Sequence, residues 1–92
     1  MPIERRRLLY RGQVQGVGFR YTAHRLSREF PVAGYVRNLR DGSVELVVEG
    51  EEPHVLSFLS AISRDMGYFI REVVEEKEPV TPTPMQNFTI RF

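Results

Sequence analysis

Nine consecutive residues, Gly12-Gln13-Val14-Gln15-Gly16-Val17-Gly18-Phe19-Arg20, hold most of the chemistry this sequence can offer. Glycine lets a backbone take positive φ and come close to a ligand. A run of amides turned inward at a strand-to-helix junction forms a nest for an anion, and the helix that follows adds its positive end. Gln15, Gly16, Val17, Gly18 and Phe19 are the candidate amide donors. Arg20 falls in the first helical turn beside them, where a planar guanidinium can fork two donors onto phosphate oxygens. The plainer alternative is a tight connection followed by a solvated arginine, and for a lone Gly-x-Gly it would prevail. Here loop, arginine and helix start coincide, which favours anion binding. The stretch lacks the Gly-Lys-Ser/Thr ending of a Walker loop. It also lacks the third glycine and the doubly wound sheet of a dinucleotide fold, so nucleotide hydrolysis has little support.

The flanking elements must hold that segment in place. From Arg7 to Val14, Leu8, Tyr10 and Val14 share one parity while Arg7, Arg11 and Gln13 take the other, the pattern of a half-buried strand. Phe19, Ala23, Leu26 and Phe30 then recur at helical spacing until Pro31 ends the run. Gly34 to Leu39 reads as a second strand and Asp41-Gly42 as a tight primed turn. Ser43 to Glu49 returns with Val44, Leu46 and Val48 inward and Glu45 and Glu49 outward. Pro53 suits the first turn of a second helix whose Val55, Phe58, Leu59 and Ile62 form an apolar stripe. Phe69 to Lys77 makes a fourth strand and Glu78 to Pro84 an extended, proline-rich connector. Phe88, Ile90 and Phe92 finish as an alternating edge strand. The order β-α-β-β-α-β plus a terminal strand predicts an α+β fold in one domain over residues 1–92. Its form is a ferredoxin-like split β-α-β sandwich, with an antiparallel sheet of four to five strands and two helices on one face.

Composition narrows the partners. Thirteen basic residues against twelve acidic ones give a net charge of +1, which does not call for nucleic acid or an anionic membrane. The absence of cysteine excludes disulfides and thiolate chemistry, and two isolated histidines, His24 and His54, give no metal site. No apolar run approaches the roughly 20 residues of a membrane span, and no signal-peptide block follows the N-terminal arginines. The expectation is a small cytoplasmic monomer with no cofactor and no metal.

Gly12 to Arg20 resembles the first signature of the acylphosphatase family without a break. Gly34-Tyr35-Val36-Arg37-Asn38-Leu39-Arg40-Asp41-Gly42-Ser43-Val44-Glu45 resembles its second, and the Phe88-Thr89-Ile90-Arg91-Phe92 ending also matches. The resemblance implies hydrolysis of a small-molecule acyl phosphate to carboxylate and inorganic phosphate. It further implies that Arg20 binds phosphate and product carboxylate and that Asn38 orients the attacking water. Taken without its surroundings, Asn38 reads as a cap beside a turn. The sequence departs from the family at Tyr68, where proline is common, and in the proline-rich stretch 77–86.

The residue types support this chemistry independently. Hydrolysis of a phosphoryl compound needs phosphate positioning, charge stabilisation and an in-line water. Neither signature holds a carboxylate or histidine set up as general acid or base. An alcohol usually needs protonation to leave, whereas a carboxylate leaves unaided because its conjugate acid has a pKa of about 4. Donors without a proton shuttle therefore suit mixed anhydrides of carboxylic and phosphoric acids. Two rivals share the topology. A binding-only module for phosphate or carbamoyl phosphate would use the same loop, since related domains occur fused to carbamoyl-transfer enzymes. An RRM-like RNA binder would need exposed aromatics on a central strand, and Val44 to Val48 has none. The terminal strand reads as complete at Phe92, which favours a free-standing enzyme over a fused module.

Overall fold

Leu8 and Tyr10 are buried while Arg7, Leu9 and Arg11 around them are not, which gives β1 (Ile3–Gly12) a single core-facing side. The computed structural model describes residues 2–92. After β1 come α1 (Phe19–Ser27), β2 (Ala33–Asn38), β3 (Val44–Glu51), α2 (Glu52–Met66), a short 3-10 turn at Gly67–Phe69, β4 (Ile70–Glu78) and β5 (Phe88–Arg91). The strands form one sheet in the order β4-β1-β3-β2-β5. Val36, Val44, Leu46 and Val48 from the sheet pack against Phe19, Ala23, Leu26, Val55, Phe58 and Ile62 from the helices. Aromatic pairs fasten this layer, Tyr10 to Phe19 at 4.9 Å and Phe58 to Phe88 at 5.4 Å between ring centroids.

The element order and the α+β class match the sequence reading, and four details differ. First, the sheet is mixed rather than antiparallel, because β5 runs parallel to β2 with Gly34 opposite Phe88 and Val36 opposite Ile90. The reason lies in the connector. β4 ends where Glu78 faces Arg5 near the start of β1, and the chain crosses that end of the sheet to the opposite edge. A strand begun there must run the same way as β2. Second, α1 stops at Ser27, short of Phe30. Its last turns tighten through i to i+3 bonds, Arg28 N–H to Arg25 C=O and Glu29 N–H to Leu26 C=O, ahead of Pro31. Phe30 still reaches the core from the turn, with its ring 6.2 Å from that of Phe58.

Third, the β2–β3 hairpin is not a primed turn. Such a turn needs positive φ at its first central residue, and Asp41 does not have it. The hairpin instead spans Arg40, Asp41 and Gly42, closed by Leu39 N–H to Ser43 C=O at 2.9 Å, with Gly42 at φ 93°. Fourth, Glu45 and Glu49 take the outward parity expected of them but are only 3% exposed. Arg7 and Arg37 lie across Glu45 at 2.7 and 2.6 Å, and Arg5 covers Glu49 at 2.7 Å. Burial by itself would raise the Glu45 pKa, but the hydrogen bonds from the two arginines hold it below the usual carboxylate value. The face without helices is therefore tiled by ion pairs. At Gly34, with φ at 146°, a Cβ would stand 1.9 Å from the Val47 carbonyl oxygen, so only glycine lets β2 lie this close to β3.

Candidate active site

At the end of the sheet where β1 finishes and β2 turns back, the chain from Gln13 to Gly18 loops over to start α1. Gly16 and Gly18 both hold left-handed φ, 78° and 80°, and Gly18 is the N-cap of the helix with no side-chain cap. The first α-helical bond runs from Thr22 N–H to Gly18 C=O at 2.9 Å. The amides of Phe19, Arg20 and Tyr21 are therefore the helix's unsatisfied donors, at the positive end of its dipole. No acidic residue stands in this first turn to occupy them.

A cleft of about 150 Å³ opens beside these donors, lined by Val14, Gly16, Gly18, Phe19, Arg20, Tyr21 and Asn38. Five of the seven candidate residues thus meet in one place, and Arg20 and Asn38 face it from two different elements. Val17 and Gln15 do not line the cleft. Val17 packs against the core, and the Gln15 side chain donates to the Leu39 carbonyl at 2.8 Å and the Ser43 carbonyl at 2.9 Å. Arg20 forms no ion pair among the described residues. Its Nη1 donates to the Arg91 carbonyl at 3.2 Å, and its guanidinium lies 4.8 Å from the centre of the Phe92 ring. The remaining guanidinium donors have no protein acceptor among the described residues.

The lining contains no carboxylate and no imidazole. Asp41, close by in sequence, belongs to the hairpin: Ser43 donates its hydroxyl and its amide to Oδ1 at 2.6 and 2.9 Å. The hydroxyl bond, reinforced by the amide, holds the Asp41 carboxyl below its ordinary pKa, so it stays an anion committed to the turn. Among the described residues no group of His, Asp and Glu is arranged to hold a metal ion. Sequence reasoning missed three contributors. Tyr21, 64% exposed, joins the lining at the start of α1. Phe92 and the Arg91 carbonyl meet Arg20 from the far end of the chain, a contact with no local signal. The third is the Gln15 side chain, whose position in the loop drew attention only to its backbone.

Comparison with known proteins identifies the family. The acylphosphatase family profile matches residues 6–90. An acylphosphatase from Oceanobacillus iheyensis is 37% identical over 83 residues, covering 89% of this chain and 91% of that protein. The crystal structure of acylphosphatase from Bacillus subtilis superposes with a TM-score of 0.86 at 29% identity, over 97% of this chain and 99% of that one. HypF from T. kodakarensis gives a TM-score of 0.83 at 27% identity, matching 97% of this chain but 12% of the longer protein. With the profile, the full-length relatives and the fold in agreement, the chain belongs to the acylphosphatase family.

Proposed function

We propose that this enzyme hydrolyses acyl phosphates in the cleft between the 15–20 loop and Asn38. The observation that carries the reading is the lining itself, which joins unsatisfied helix-start amides, a guanidinium and a carboxamide and includes no carboxylate or imidazole. The phosphoryl group sits against the loop amides and the N-terminus of α1, with Arg20 forked onto its oxygens. These donors are fixed before the substrate arrives, so charge developing in the transition state is met without reorganisation. At about 150 Å³ the cleft holds a phosphoryl group and a few waters of about 30 Å³ each. Asn38, which shares the lining, accepts from or donates to the attacking water and fixes its line of approach. The carboxylate then leaves without a proton, and Arg20 steadies it as it goes.

Phosphate release from benzoyl phosphate and from a simple alkyl phosphate monoester tests this directly. The expected result is rapid release from the first and almost none from the second. Comparable turnover of the two would mean that a general acid operates, with the Tyr21 phenol as the first suspect. The match to one segment of the much longer HypF supports a second reading, a module that binds phosphate without turnover. That reading predicts phosphate affinity with no release in the same assay.

Small-molecule specificity, a cytoplasmic location and a monomeric state belong to the same proposal. Among the described residues no helix is long and apolar enough to cross a membrane. The reading leaves out nucleic acid because the helix-free face carries buried glutamates, and its Tyr35 ring lies beneath the Arg91 guanidinium at 3.7 Å rather than open to a base.

A further inference from the structure

We propose that the Gln15 side chain is a positioning residue that sets the distance and angle between the phosphate cradle and Asn38. This rests on the reading of Asn38 as the group that orients water. The cradle grows out of β1 and Asn38 ends β2, and β3 lies between those two strands, so no sheet pairing ties one directly to the other. Among the described residues, the hydrogen bonds that join residues 13–20 to residues 38–43 come from one atom, Gln15 Nε2. It gives one hydrogen to the Leu39 carbonyl at 2.8 Å and the other to the Ser43 carbonyl at 2.9 Å.

Those two carbonyls stand on either side of the mouth of the hairpin, and Leu39 follows Asn38 directly. Neither needs Gln15 to be satisfied. The Leu39 carbonyl also accepts from Gly42 N–H at 3.2 Å, and the Ser43 carbonyl accepts from Leu39 N–H at 2.9 Å. The hairpin therefore closes by itself, and the carboxamide adds its placement against the cradle. Two donors on one nitrogen, at the reach of a glutamine, are needed to span both carbonyls. Alanine has none, and a glutamate anion would turn lone pairs toward them.

Turnover of benzoyl phosphate and its inhibition by inorganic phosphate, measured for Gln15→Ala, Gln15→Glu and Asn38→Ala, test the assignment. Gln15→Ala leaves Arg20 and the amides at the start of α1 untouched, so kcat should fall roughly ten- to a hundredfold while the phosphate inhibition constant moves by less than about threefold. Gln15→Glu should be slower still at neutral pH. Its activity relative to the parent should recover as pH falls toward the ordinary glutamate pKa of about 4.3, where a protonated carboxyl regains one O–H donor. A kcat within about twofold of the parent in Gln15→Ala, with Asn38→Ala collapsed, overturns the positioning role and leaves the Asn38 reading intact. Near-normal turnover in Asn38→Ala overturns the reading underneath. Equal losses of kcat and phosphate affinity in Gln15→Ala would mean that the side chain shapes the cradle itself, which also overturns the proposal. Should Gln15→Ala fail to fold, the Gln15→Glu profile decides, and a ratio to the parent that is flat with pH overturns it.

Discussion

Residues 13–18 carry the chain out of β1, and residues 79–87 carry it into β5 from the opposite end of the sheet. Neither is helix or strand, yet their chemistry is reversed. The first contains two glycines at left-handed φ and no proline, and it delivers the chain to a helix start whose first amides have no backbone acceptor. The second contains Pro79, Pro82 and Pro84, three positions with no N–H to offer. Two of its donors are held within the fold. Met85 N–H binds the buried Glu49 carboxylate at 2.8 Å, and the Thr81 hydroxyl binds the Thr83 carbonyl at 2.7 Å. Irregular backbone is common to both, so irregularity does not mark a binding site. What separates the two is that the first ends at a helix start that lines a cleft, while the second is pinned to a buried carboxylate.

Three substitutions would break or sharpen that contrast. The largest effect belongs to Arg20→Gln. Turnover should drop by about 10³-fold or more, with weakened inhibition by phosphate. Melting should barely change, because the side chain holds the fold only through one exposed hydrogen bond and a stacked terminal ring that is 92% exposed. Near-parental kcat would remove the guanidinium from the chemistry. Next comes Glu49→Ala, which frees Met85 and strands Arg5 at the connector end. Urea unfolding should show a loss of about 3 kcal/mol, the scale for removing one partner of a buried pair, with kcat of the folded protein unchanged. A tenfold fall in kcat would mean that the two ends of the sheet are coupled. The smallest effect is expected for Pro82→Ala, under about 1 kcal/mol in stability and none in turnover, since only the freedom of the unfolded chain changes. A measurable rate change there would show that the connector takes part in function.

Parity and period carried most of the fold. Leu8 and Tyr10, or Val44, Leu46 and Val48, announce their faces because a strand must alternate. They do not say which way a neighbour runs, and so the parallel pairing of β5 with β2 was out of reach. Alternation also gives the face of Glu45 without its exposure, which depends on arginines from β1 and β2 folding over it. At the site, the glycine loop, Arg20 and Asn38 were legible because their residue types are unusual for plain connection. The Gln15 carboxamide was hidden because glutamine is unremarkable in any loop. The contact of Arg20 with Arg91 and Phe92 spans nearly the whole chain, and nothing in either stretch names the other.

The tiling of the helix-free face has a consequence for how the chain behaves in a crowd. On that face Glu72, Glu76 and Glu78 of β4 stand opposite Arg11, Arg7 and Arg5 of β1, and beyond them lie Glu45 and Glu49 of β3. Acid and base alternate strand by strand, so β4 laid against β3 by mistake would set carboxylate against carboxylate. The same holds for the open edge. Two molecules meeting along β4 would align like charges down the seam, a built-in deterrent to growth of an extended sheet and to aggregation.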